Sequence, residues 1–160
     1  MIKTTLTLIL LIQFVISQKS LQLCPEYSVS GKLIGNDRIQ FSITFAIWGF
    51  VGLNFSDHMA KSDMIIVSLS KDLSYTVIDS WSPGHSPPLA DTSYGGKDDI
   101  LSRSISTLNG KTTITFERLL NTNDRYDIAI NLQKPLDITF AWRTVAALEF
   151  HGADFLYAQL

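Results

Sequence analysis

Two adjacent side chains that can ligate iron, His58 and Met59, sit in the polar stretch Asn54–Ser62. A third candidate, His151, lies ninety-two positions beyond Met59 in an apolar run, between Phe150 and Gly152. A thioether is a soft donor that favours the reduced metal, and a neutral imidazole is the commonest nitrogen ligand. The bland readings stand beside the chemical ones: a loop methionine as gap filler, His58 as a surface imidazole beside Asp57, and His151 as a core-edge ring bonded to a carbonyl. His85 falls in a Pro/Gly loop and reads as solvent-exposed. Asp63 and Asp79 could be taken for a general acid/base pair, but such a pair needs a cleft and a tuned environment. Arg118 is expected to pair with Asp124 or Asp127. The chain has no Gly-x-Ser-x-Gly elbow, no His-Glu-x-x-His and no Cys-x-x-Cys. Gly95-Gly96-Lys97 lacks the rest of a phosphate-binding loop and reads as a turn.

These residues must be positioned by strands. Ile39, Phe41, Ile43, Phe45 and Ile47 alternate with Gln40, Ser42, Thr44 and Ala46, a period of two that buries one face and wets the other. The alternation returns at Leu73-Tyr75-Val77, Ile114-Phe116 and Leu136-Ile138-Phe140-Trp142. Met64–Leu69 is a continuous apolar run, as for a strand covered on both faces. Turns are expected at Gly31, at Gly35-Asn36-Asp37 and at Lys71-Asp72. Asn109-Gly110 is a type I′ hairpin signal between 101–108 and 111–119, and Ser82–Pro88 is an irregular loop. No stretch has the spacing of an amphipathic helix. Short strands at even intervals predict an all-β fold, an antiparallel β-sandwich.

Leu6–Ile16 is apolar behind Lys3, with Val15 and Ser17 at the −3 and −1 positions of a cleavage site. It is shorter than the roughly 20 residues of a membrane span. The expectation is a cleavable signal peptide over 1–17, one domain over 18–160, and a secreted or lumenal mature chain without a membrane span. The formal net charge is −2, with scattered Lys and Arg, which leaves no basic footprint for nucleic acid or an anionic membrane. Cys24 is the only cysteine, so the chain has no internal disulfide; it reads as a small buried apolar side chain near the first strand, with pairing to a partner chain as the alternative. Asn54-Phe55-Ser56 is the one glycosylation sequon, a weak signal.

Six segments in order resemble the DOMON domain family: Gly49–Leu53, Met59–Val67, Asp79–Ser82, Pro88–Asp91, Phe116–Asp124, and Ile138–Trp142 leading to His151. That family includes a domain of dopamine beta-monooxygenase, the cytochrome domain of cellobiose dehydrogenase and ascorbate-reducible plant cytochromes b. The resemblance implies a β-sandwich and, in one branch, a non-covalent haem b; it also implies that Asp63 and Asp79 are structural acids tying loop backbone to strand ends. The positions of this chain that match that branch's iron ligands are Met59 and His151, with Trp48, Trp81, Phe140 and Trp142 first of all core residues, some of them walls of a haem pocket. The implied function is extracytoplasmic single-electron transfer with a separate redox protein or a small reductant. The alternatives are a haem-free module binding a carbohydrate or a protein, and a structural subunit of a larger assembly.

Overall fold

The computed structural model describes residues 18–134, 136–145 and 155–159. The expected leader, 1–17, and His151 lie outside them. Among the described residues, eleven strands run in chain order: β1 Lys19–Cys24, β2 Tyr27–Ile34, β3 Arg38–Phe45, β4 Gly49–Asn54, β5 Ser62–Leu69, β6 Tyr75–Ser82, β7 Leu89–Ala90, β8 Ile100–Leu108, β9 Lys111–Leu119, β10 Asp137–Arg143 and β11 Phe155–Gln159. One turn of 3-10 helix, Asp91–Tyr94, follows β7. The strands form a five-stranded sheet, β1-β2-β3-β9-β8, and a six-stranded sheet, β11-β10-β4-β5-β6-β7. Every pairing is antiparallel. The fold is therefore the predicted β-sandwich. Among the described residues, no helix is long and apolar enough to cross a membrane.

The alternation in β3 has the expected consequence. Phe41, Ile43 and Phe45 face the core with Ile114 and Phe116 of β9, against Val51, Leu53, Ile65, Val67, Ile138 and Phe140 of the other sheet. On the outer face, hydroxyls pair across strands, Ser42 with Thr115 at 2.9 Å and Thr44 with Thr113 at 3.0 Å. β5 is buried along nearly its whole length, as its unbroken apolar run predicts. Asn109 and Gly110 both have positive φ, 51° and 74°, and join Leu108 to its partner Lys111, the backbone a type I′ turn requires.

Four expectations shift. Gly31 lies inside β2 and not in a turn, where its missing side chain gives room to the Phe41 ring, 3.5 Å from where a Cβ would stand. Ile47 falls beyond the end of β3 and is exposed, because the chain must leave one sheet to enter the other. Leu73 sits at the turn with φ 65°, exposed, because the link between β5 and β6 occupies Ser70–Ser74, where Leu73 N–H donates to Ser70 O at 3.1 Å. Of the four aromatic residues expected in the core, Phe140 is fully buried and Trp142 packs partly against the core, while Trp48 and Trp81 are half-buried at the surface. Lys71 Nζ stands 4.5 Å over the Trp48 ring.

Gly49, where the chain crosses between sheets, has φ 152°, and a Cβ there would collide with the Arg143 carbonyl and the Tyr27 hydroxyl. That hydroxyl donates to Trp48 O at 3.1 Å and lies 2.7 Å from Thr144 Oγ1. Gly49→Ala should therefore cost roughly 1–3 kcal/mol through overpacking. Urea denaturation checks this, with the midpoint falling and the slope unchanged.

Candidate functional site

Two sites lie toward the same end of the six-stranded sheet. The first is the β4–β5 loop. Asn54, nearly buried at the end of β4, donates from Nδ2 to His58 O at 2.7 Å and accepts from Ser62 Oγ at 2.6 Å. Ser56 Oγ also donates to His58 O, at 2.6 Å, and Thr139 Oγ1 donates to Ser56 O at 2.8 Å. The loop is thus tied to itself and to β10, and it holds Met59 half-buried. The asparagine of the sequon is the residue that closes the loop, so a glycan on Nδ2 would compete with that closure. His58 projects into solvent, its Nδ1 2.6 Å from Asp57 Oδ1, and His85 is exposed; both match the surface reading.

The segment bearing His151 leaves the sheet at Arg143, opposite Phe50, and returns at Phe155, opposite Ala141. Met59 lies past Asn54, at the other end of β4. His151 precedes Phe155 by four positions in the chain, and Phe155 sits level with Gly52, about 7 Å along the strand from Asn54.

The second site is acidic and interior. Period two carries the inward face of β5 through Ile65 to Asp63, of β6 through Val77 to Asp79, and of β9 through Phe116 to Arg118. Three charged residues thereby occupy positions between the sheets. Arg118 is 1% exposed; Nη1 donates to Asp63 Oδ2 at 2.9 Å and Nη2 to Ile128 O at 3.2 Å. Nη2 also stands 3.4 Å from Asp127 Oδ2 as an ion pair that is not aligned for a hydrogen bond. The guanidinium lies over the Phe55 ring, 4.9 Å from its centroid.

Asp63 and Asp79 do tie loops to strands, as expected: Asp63 Oδ2 accepts from Ile128 N–H at 2.8 Å and Asp79 Oδ2 from Asp99 N–H at 2.8 Å. Asp127 is a partner of Arg118, as expected, but Asp124 is not. Its carboxylate accepts instead from Lys97 N–H at 2.7 Å and Tyr126 N–H at 2.9 Å, closing the loop around Gly95-Gly96. Asp63 as the principal partner of Arg118, and the buried Asp91 on the 3-10 turn, escaped the sequence reading. An acid inside an apolar strand, as in Ser62–Val67 and Val77–Trp81, was the available signal, since such a charge needs a partner.

Burial pushes the Asp63 carboxyl up to about 6, against the pull of Arg118, and Asp79 to about 7. It pushes Asp91 to about 8, helped by Asp79 and Asp127, and raises Asp99. Burial opposes the charge on Arg118, but Asp63 and Asp127 outweigh it and hold the group protonated. Over the site lie three mutually contacting rings, Trp81, Tyr94 and Tyr126, with centroids 5.2–5.9 Å apart and all half-buried.

A family model of the DOMON domain matches residues 23–143. The chain belongs to the DOMON family. The cytochrome domain of cellobiose dehydrogenase from Myriococcum thermophilum superposes on this DOMON domain with a TM-score of 0.60 at 12% identity, covering 91% of this chain and 82% of that one. The cytochrome b domain of pyranose dehydrogenase from Coprinopsis cinerea gives 0.60 at 12% identity, covering 90% and 81%. At this identity the likeness is one of fold. No curated protein matches the sequence. Within the DOMON domain, Met59 follows β4, and the ion pair of Asp63 with Arg118 joins β5 of one sheet to β9 of the other.

Proposed function

We propose that this DOMON domain is an electron carrier that holds haem b between Met59 and His151 and exchanges single electrons with a separate redox protein or a small reductant. The observation that carries the reading is the pinned β4–β5 loop, which keeps the Met59 thioether half-buried at a sheet end in a fold shared with two cytochrome domains. The donor set suits the group: a thioether and an imidazole raise the reduction potential relative to two imidazoles. Haem supplies reversible one-electron chemistry when bound. Met59 and His151 would hold the group, and the Asn54–His58–Ser62 bonds would hold the loop that carries Met59. The reading includes removal of residues 1–17 as a signal peptide and a secreted or lumenal location. A carbohydrate-binding role without haem is favoured by one observation, the half-exposed Trp81–Tyr94–Tyr126 surface, since stacked rings suit sugar faces.

An absorption spectrum tests the proposal. The full chain, produced through a secretory route with haem supplied, should show a Soret band and sharp reduced α and β bands. Met59→Ala and His151→Ala should each abolish the low-spin spectrum, and His58→Ala should leave it intact. A folded protein that stays colourless with added haem would overturn the cytochrome reading and turn attention to glycans.

A further inference from the structure

The interior acidic cluster is more than the partner of one arginine. Asp63, Asp79 and Asp127 each present a carboxylate oxygen, and these oxygens all lie within 4.8 Å of one another. Their side chains are almost fully enclosed: those of Asp63 and Asp127 are 3% and 1% exposed, and Asp79 as a residue is 3% exposed. Asp63 Oδ1, Asp79 Oδ1 and both oxygens of Asp127 accept no hydrogen bond, and neither do Asp91 Oδ1, Asp91 Oδ2 or Asp99 Oδ2. Of these acids, Asp63 and Asp127 are ion-paired with the Arg118 guanidinium, whose own Nε is also buried without a hydrogen bond. A buried polar oxygen without a partner costs roughly 1–3 kcal/mol, more when charged, so seven such atoms in one place call for a counter-charge that Arg118 does not supply.

We propose that Asp63, Asp79 and Asp127 form a binding site for a divalent cation of calcium type, with Asp91 and Asp99 as further oxygen donors at its edge. Oxygens that share a calcium ion, each roughly 2.3–2.6 Å from it, stand no more than about 5.2 Å apart, and the three oxygens of this triad, all within 4.8 Å of one another, meet that limit. The enclosure selects among hard cations. Magnesium keeps several waters and a small octahedron, whereas calcium accepts 6–8 oxygens, backbone carbonyls included, in an irregular cage. Because Asp63 and Asp79 belong to one sheet and Asp127 to the loop after β9, a bound ion would clamp the two sheets at this end. Met59 is not among the residues of this site, and the proposal does not depend on haem.

Calorimetric titration of the full chain, stripped with a chelator, with calcium chloride tests this, alongside native mass spectrometry and thermal melts. The expected result is one calcium per chain, a dissociation constant of about 1 mM or tighter, as for extracellular calcium modules, and a melting midpoint several degrees higher at saturation. Asp79→Asn, which keeps the shape and removes one charge, should weaken binding at least about tenfold, while Asp98→Asn, an exposed acid paired with Arg103, should not. Magnesium should bind more weakly. A folded wild-type chain with no heat, adduct or midpoint shift at about 10 mM calcium, ten times the weak end of that range, would overturn the proposal. Calcium binding undiminished by Asp79→Asn would do so too.

Discussion

Arg118→Met should destabilise the domain by about 3–5 kcal/mol at neutral pH, the cost of removing one partner from a buried ion pair. Methionine matches the volume and leaves Phe55 covered, so the loss would come mainly from charge. Asp63 and Asp127 would remain enclosed with no cation beside them, and Ile128 O would lose its donor. Arg118→Lys should recover little of this. A lysine is a point charge and cannot direct two separate nitrogens at Asp63 Oδ2 and Ile128 O. The deficit should shrink toward pH 5, where the abandoned carboxyls can take up protons. Denaturant unfolding at two pH values measures both effects; a loss below about 1 kcal/mol would mean the pair behaves like an exposed one. Combining Arg118→Met with Asp63→Asn should cost less than the sum of the two single changes, because the second removes a charge that the first has stranded.

Measured in chelator, the domain should be more stable at mildly acidic pH than at mildly alkaline pH, the reverse of ordinary acid sensitivity. Asp63, Asp79 and Asp91 have folded-state pKa values of about 6, 7 and 8, all above the value near 3.9 of an unfolded aspartate. In the window between, the folded state binds more protons than the unfolded one, so stability falls as pH rises. The loss begins above about pH 4 and ends only once the pH has passed the Asp91 value of about 8. Each pKa unit corresponds to about 1.36 kcal/mol, and about 1 kcal/mol moves the midpoint of a domain this size by roughly 2–4 °C. The melting midpoint should therefore drop by at least about 5 °C between about pH 5 and about pH 8. A flat or rising profile would show that these carboxyls ionise freely in the folded state. Asp79→Asn should flatten the profile by removing one of the titrating groups. Saturating calcium should flatten it as well, since a cation would hold the same oxygens without protons.

The sandwich was legible because a strand's pattern is local. Side chains alternate with period two whatever the strand pairs with, so Ile39–Phe45 announced its buried face and Met64–Leu69 its double burial. Asn109-Gly110 announced its hairpin for the same reason, since the preference for positive φ belongs to those two residues. The errors were also local patterns, read past the point where another constraint took over. Ile47 keeps the alternation after the chain has left the sheet, and Leu73 lies in a turn whose length is set by the strands it joins. Gly31 resembles a turn glycine but stands in a strand, because Phe41 on the neighbouring strand needs the space.

The sequence by itself determined the fold class, the surface character of His58 and His85, and the loop in which Met59 lies, because each depends on neighbours within a few positions. Only the tertiary structure decided that Arg118 bridges to Asp63, fifty-five positions away, and that Asp79 and Asp127 join it within 4.8 Å. Coulombic attraction and desolvation depend on distance through space, and no spacing along the chain encodes which strand ends will meet. The sequence displayed the acids inside apolar strands, but not the enclosure that raises their pKa values and leaves their oxygens without partners.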